Sequence, residues 1–279
     1  MDCHRFGNAA YQGVSDNEEI EKNNIMKGLI LDYGATIDSN GKHWSEVLWE
    51  GYCQVSLPIT KDQFREAYIY AERYVSFNPV VQPTDNFFEL MQTRIGIQID
   101  YLLQQGHLNE DILQTTLRLF SEGEVPIVDD VHDLAQHFVD IIAGYCYDYA
   151  RRCTLDAIPY IEKLSEKYDL ALVSNFYGNL SAVLQDFGLG RCFRIVIDSS
   201  EVGIRKPDPQ IFQLAIDKLN LKPEEITVIG DSYSKDILPA LELGCKAIWI
   251  KGTSWNKADE QIDYEPSASS ILQLYDMLQ

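Results

Sequence analysis

Paired cysteines are missing from this chain. Its six cysteines, Cys3, Cys53, Cys146, Cys153, Cys192 and Cys245, form no C-x-x-C pair, which removes the zinc knuckle and the dithiol redox motif. Scattered through 279 residues, they read as buried free thiols of a reducing cytosol. No apolar stretch of about 18 residues is available to span a bilayer, and the N-terminus has no apolar signal core. Basic residues are scarce: 23 Lys and Arg stand against 43 Asp and Glu, a formal charge of −20. That balance argues against a nucleic-acid partner, which needs clustered cations. It also requires any anionic substrate to be held by a local cation or a metal, against the mean field. Internal repeats and low-complexity segments are absent. The expectation is a cytoplasmic monomer or homodimer with neither nucleic acid nor membrane as partner.

Apolar residues make up 46% of the chain, enough for a packed core. Residues 1–25 are polar and aperiodic and read as a flexible tail; Met26, directly before the first apolar run, is a candidate natural start. Leu29-Ile30-Leu31 is a short apolar run bounded by turn residues, a buried strand by pattern. Asp32 then stands at the carboxyl end of that strand, where open α/β sheets bind ligands. Tyr33, Gly34, Ala35 and Thr36 form the turn that follows.

Helical periodicity dominates from about Trp44 to Arg152. Thr60 and Gln63 make a capping box for one helix. Thr84 is the expected cap of a second helix through Phe87, Met91 and Ile95, and Asn109 of a third. A fourth carries Val131, Leu134, Phe138, Ile142 and Tyr145 on one face. After Asp156 the pattern alternates. Helices near 157–167, 179–187, 208–219 and 235–243 separate strands at Leu170–Ser174, Ile195–Asp198, Ile226–Gly230 and Ala247–Ile250. Strands alternating with helices predict a doubly wound, parallel, Rossmann-like sheet. The predicted domains are 26–40 with 155–279 as an α/β core, and 41–154 as an all-helical insertion.

Polar residues end three of these strands: Asp32 with Thr36, Ser174 with Asn175, and Asp231 with Asp236. Between the last two pairs lies Arg205-Lys206-Pro207, just before a helix that Pro207 or Asp208 can start. The combination resembles the haloacid dehalogenase (HAD) superfamily, in its subfamily with a helical cap after the first strand. Motif one is Asp32 to Thr36, motif two Ser174, motif three Lys206, and Gly230-Asp231-Ser232-Tyr233-Ser234-Lys235-Asp236 is the family's GDxxxxD. The resemblance implies a Mg²⁺-dependent hydrolase that cleaves a small phosphorylated metabolite through an aspartyl-phosphate on Asp32. Lys206, Thr36 and Ser174 would be catalytic partners. Asp32, Asp231, Asp236 and the Gly34 carbonyl would hold the metal, an all-oxygen set of the kind Mg²⁺ takes. Asn175, Tyr33 and His43 are candidate substrate contacts.

Motif one departs from the family's DxDGT. Gly34 stands where the second Asp, the general acid and base, belongs, and Ala35 replaces the usual Gly. Loss of such a group costs on the order of 10² to 10⁴ in rate. The readings that follow are a phosphatase using a good leaving group or a substitute acid among His43, Tyr33 and Asp38; a dehalogenase- or phosphonatase-like hydrolase; a phosphoryl transferase; and an inactive phosphate-binding or interaction protein. Only Lys42 and Lys61 could serve a Schiff base in the insertion, because no other lysine precedes Lys163 there.

Overall fold

The computed structural model describes residues 26–120, 130–253 and 261–279, so the tail expected at 1–25 lies outside the described residues. Six strands form one parallel sheet: β1 Gly28–Leu31, β2 Asp169–Ser174, β3 Ile195–Asp198, β4 Ile226–Gly230, β5 Lys246–Ile250 and β6 Ser267–Ala268. Their order across the sheet is β3-β2-β1-β4-β5-β6. The sheet is the α/β Rossmann-like core expected from the alternating pattern, with one strand more. β6 escapes sequence reading because two residues, Ser267 and Ala268, form no apolar run.

All four residues of β1 are buried, as a central parallel strand covered on both faces requires. Its side chains divide by alternation. Leu29 and Leu31 join a large core with Leu170, Leu172 and the helices described below. Ile30 joins a second core with Ala171, Val173 and Val228 under the helix Gln210–Leu219. In register, Leu31 pairs with Leu172 on one side and Ile229 on the other. The next residue on β1, Asp32, therefore emerges beside the ends of β2 and β4.

Between β1 and β2, every described element is helical: α1 Trp44–Gln54, α2 Lys61–Phe77, α3 Phe87–Gln104, α4 Glu110–Phe120 and α5 Val131–Ser165. The Thr60–Gln63 capping box opens α2 as its spacing predicts. The cap of α3 is Asn86, not Thr84: Asn86 and Glu89 satisfy each other's backbone N–H groups. A capping box needs an acid or amide three residues on, and Thr84 is followed there by Phe87. Asn109 does cap α4, accepting from the Ile112 N–H at 2.9 Å.

The two helices expected on either side of residue 155 are one helix of 35 residues. Ala150, Thr154, Ala157, Ile161 and Leu164 keep three- and four-residue spacing through that point and are all buried. No capping residue interrupts them, and Pro159 lies inside the helix rather than ending it. After β2 come α6 Leu180–Asp186, the short α7 Ser199–Val202, α8 Gln210–Leu219, α9 Leu238–Glu242 and α10 Ile271–Met277. Helix α8 begins at Gln210, beyond the start that Pro207 or Asp208 would give it: Pro209 is its N-cap residue, and Asp208 Oδ1 accepts the Gln210 N–H. Among the described residues no helix is long and apolar enough to cross a membrane.

Candidate active site

Asp32 continues β1 by one hydrogen bond, its N–H donating to Ile229 O at 2.8 Å. Three donors converge on its Oδ1: the Tyr33 N–H at 2.8 Å, the Ser174 hydroxyl at 2.7 Å and the Lys206 ammonium at 2.9 Å. Oδ2 takes part in none of these bonds. One oxygen is thus cradled and orients the carboxylate, as a nucleophile requires.

Lys206 is held in place from both directions. The Asn175 side chain pins its backbone, accepting the Lys206 N–H at 2.8 Å and donating to Lys206 O at 3.0 Å. Its ammonium lies 2.6 Å from Asp236 Oδ1. Asn175, a candidate substrate contact, also places this lysine, using both the oxygen and the nitrogen of its side-chain amide.

Asp236 lies in a π-turn, Tyr233–Ile237, between β4 and α9. Such turns recur at functional sites because they redirect a side chain. The turn is closed by the Asp236 N–H on Ser232 O and by the Ser232 N–H on Asp236 Oδ2. Gly230 makes the room: a Cβ there would stand 2.3 Å from Asp236 Cγ. The glycine of GDxxxxD is required here by the closeness of that carboxylate.

Carboxylate oxygens of Asp32, Asp231 and Asp236 all lie within 4.8 Å of one another. Three carboxylates face one ammonium, so the cluster carries excess negative charge in a largely buried place. Burial, followed by the Asp236 and Asp32 carboxylates, pushes Asp231 well above the ordinary carboxylate range. Burial also raises Asp236, to about 6, against the pull of Lys206. Burial works against the Lys206 ammonium, but Asp236 and Asp32 outweigh it and lift it above its usual value. A hard divalent cation would relieve this excess, and an all-oxygen donor set matches what Mg²⁺ takes.

A cavity of about 300 Å³ opens over Asp32. Gly34, Asp38, His43, Ser174, Asn175, Lys206, Asp231 and Asp236 all line it. Two predicted residues are missing from its wall. Tyr33 is fully buried, edge-on to Phe176 at 5.7 Å between centroids, so its side chain packs the core and does not line the cavity. Thr36 is fully buried as well, and its hydroxyl has no hydrogen-bond partner among the described residues. The turn causes both: Ile37 N–H returns to Tyr33 O, and Ala35 N–H to Asp38 Oδ1, which folds residues 33–37 back under Asp32.

The candidate substitute acids fare differently. His43 lines the cavity and caps α1, its Nδ1 accepting from the Ser45 N–H at 3.1 Å. Burial, with Lys235 next, lowers it to about 4, so it is a neutral imidazole at physiological pH. Asp38 accepts from Ala35 N–H at 2.7 Å and from the Trp44 indole at 2.9 Å. Burial raises it to about 8 despite those bonds. It braces Ala35, whose φ of 59° is the left-handed region, a cost of roughly 1–2 kcal/mol for a residue with a Cβ.

Sequence reasoning missed the far wall. Arg94 on α3 is 4% exposed and pairs with Glu72 on α2. The other Glu72 oxygen accepts the Tyr177 hydroxyl at 2.8 Å, and the guanidinium stacks on the Tyr177 ring. Tyr177 follows β2, so this network ties the helices to the sheet. An Arg among Met91, Ile95 and Ile99 on one helical face is the only sequence signal of it.

A family model described as haloacid dehalogenase-like hydrolase matches residues 46–244. The "Rhythmically expressed gene 2 protein" of Drosophila melanogaster is 33% identical over 155 residues, 52% of this chain and 59% of that protein. A phosphoserine phosphatase of Thermus thermophilus is 39% identical over 82 residues, 29% of this chain and 33% of the enzyme. These matches thus span less than two thirds of either relative's length. A crystal structure described as a dehalogenase with intermediate complex superposes with a TM-score of 0.56 at 16% identity, covering 90% of this chain and 96% of that one. That likeness concerns the fold.

Proposed function

The chain belongs to the haloacid dehalogenase-like hydrolases, and from that premise we propose that it is a Mg²⁺-dependent phosphatase acting on a small phosphorylated metabolite. The observation that carries the reading is Asp32, oriented by three donors and set beside Lys206, Asp231 and Asp236. Asp32 Oδ2 attacks phosphorus, forming an aspartyl-phosphate and splitting one hard displacement into two easier ones. Lys206 offsets the repulsion between this anion and the phosphoryl group, and Ser174 holds the carboxylate in line. Asp32, Asp231, Asp236 and the Gly34 carbonyl would hold Mg²⁺, which when bound supplies Lewis-acid stabilisation of phosphoryl oxygens.

Residues 41–154 act as a cap whose aromatic wall meets the rest of the substrate, and closure over it excludes water. Phosphatases among the similar proteins, the Thermus enzyme and a glyceraldehyde 3-phosphate phosphatase of Pyrococcus furiosus, support this over the dehalogenase alternative. So does the acidic cluster, a fit for a metal that carbon–halogen cleavage does not need. The test is a panel of phosphate esters assayed with and without Mg²⁺, with Asp32→Asn as the blank. Metal-dependent release of phosphate that vanishes in the variant is expected; no release from any ester would end the proposal.

A further inference from the structure

Every aspartyl-phosphate route must settle where the leaving oxygen finds a proton. Gly34 occupies the position from which the family's acid would act. It lies on the cavity wall, and a Cβ built there meets nothing within 4 Å. The space for an acid is therefore open and unfilled by any neighbouring side chain.

Several other groups at or beside this wall are committed elsewhere. Tyr33 is buried in the core. The Tyr177 hydroxyl donates to Glu72. His43 is neutral at physiological pH and its Nδ1 serves the helix cap. Asp38 keeps its proton at neutral pH, yet it is 1% exposed and both oxygens hold the turn, one through Ala35 and one through Trp44. Lys206 is locked between two carboxylates. The cavity is lined as well by the rings of Trp44, Tyr68, Phe87 and Phe176, which suits a flat or apolar leaving group.

We propose that the substrate is a phosphate whose leaving oxygen is itself acidic, an aryl or acyl phosphate, so that the bond to phosphorus breaks without a proton donor. This rests on the reading that Asp32 attacks phosphorus. Asp32 Oδ2 forms the new O–P bond, and the P–O bond to the leaving group breaks. The electron pair departs with that oxygen, as a phenolate that solvent later protonates or as a carboxylate that stays ionised. Water then attacks the phosphorus of the aspartyl-phosphate, returning the Asp32 carboxylate and inorganic phosphate, with the water's protons passing to phosphate and solvent.

The experiment compares para-nitrophenyl, phenyl and benzyl phosphate, similar in shape but falling in leaving-group acidity, with acetyl phosphate as the acyl member. Values of kcat/KM are measured at saturating Mg²⁺ for the wild type, Gly34→Asp and Gly34→Asn. The wild type should favour para-nitrophenyl over benzyl phosphate steeply, and Gly34→Asp should narrow that gap by on the order of 10² to 10⁴. Gly34→Asn, similar in size but unable to act as an acid, should leave it wide. Whether or not Gly34→Asp folds, kcat/KM of the wild type should be the same in light and heavy water, since no proton moves as the bond breaks. Benzyl phosphate turned over within tenfold of para-nitrophenyl phosphate, or a large solvent isotope effect, overturns the inference and leaves the phosphatase reading standing. Turnover of no member overturns both. A preference for acetyl over para-nitrophenyl phosphate would assign the acyl class, and the reverse the aryl class; either supports the shared chemistry.

Discussion

Replacing Lys206 by Met removes the one ammonium that bridges Asp32 and Asp236, at 2.9 and 2.6 Å. The side chain is 2% exposed, and its partners 11% and 0%, so water cannot easily take its place. Breaking a buried pair from one side costs about 3–5 kcal/mol, mostly the penalty of the charge left behind. Protonation limits that loss. Asp236 already sits near 6 with Lys206 present, and without the ammonium it moves higher. The folded variant then holds a proton that the unfolded chain, with its ordinary carboxylate range, has released. Stability therefore falls as pH rises through this window, by about 1.4 kcal/mol per pH unit for each proton. The variant should lie close to the wild type near pH 5 and well below it at pH 8. Urea unfolding of metal-free protein at the two pH values measures the difference. A deficit below about 1 kcal/mol that does not change with pH would refute the reasoning, because it would mean that solvent reaches the carboxylates and screens them.

Other consequences are open to simpler tests. Gly230→Ala forces Asp236 to move, since the new Cβ would lie 2.3 Å from its Cγ; Mg²⁺ binding measured by calorimetry should weaken at least tenfold, and unchanged binding would remove Asp236 from the metal site. Asp38 has a folded pKa of about 8 against an ordinary 3.8. The folded state thus binds the extra proton between those values, and its stability contribution is lost as pH rises from about 4 to 8; Asp38→Leu should flatten that dependence in thermal melts, though it lowers stability overall by freeing the Ala35 N–H and the Trp44 indole. Tyr177→Phe leaves one Glu72 oxygen without its donor, at a cost of about 1–3 kcal/mol; hydrogen exchange should speed up in α2 and α3 more than in the sheet, and uniform exchange would mean that the network does not tie the two together. Asn86→Ala should cost about 1 kcal/mol by removing the α3 capping box, whereas Thr84→Ala should leave chemical unfolding unchanged.

Where a residue's position follows from its place at the end of an apolar run, the sequence was enough. Asp32, Ser174 and Asp231 close strands of continuous buried residues, and a parallel sheet aligns such ends whatever lies between them in the chain. Lys206 and Asp236 were legible from motif order alone. Local spacing also determined the Thr60 and Asn109 caps, because a cap is decided within four residues. It failed where a competing contact lay elsewhere: β6 exists only because β5 offers an edge, and α5 runs past residue 155 because its buried face continues onto the sheet.

Tertiary packing alone decided which atoms remain available for chemistry. Tyr33 and Thr36 sit between Asp32 and Asp38 in the chain, yet the turn buries both side chains and leaves Gly34 on the wall. Asn175 spends its amide on the Lys206 backbone, 31 residues away, and Arg94 and Tyr177 meet across helix and sheet through Glu72. Residue type states what a side chain can do. Which of its hydrogen bonds are already taken depends on partners distant in sequence, and only the folded chain brings those partners together.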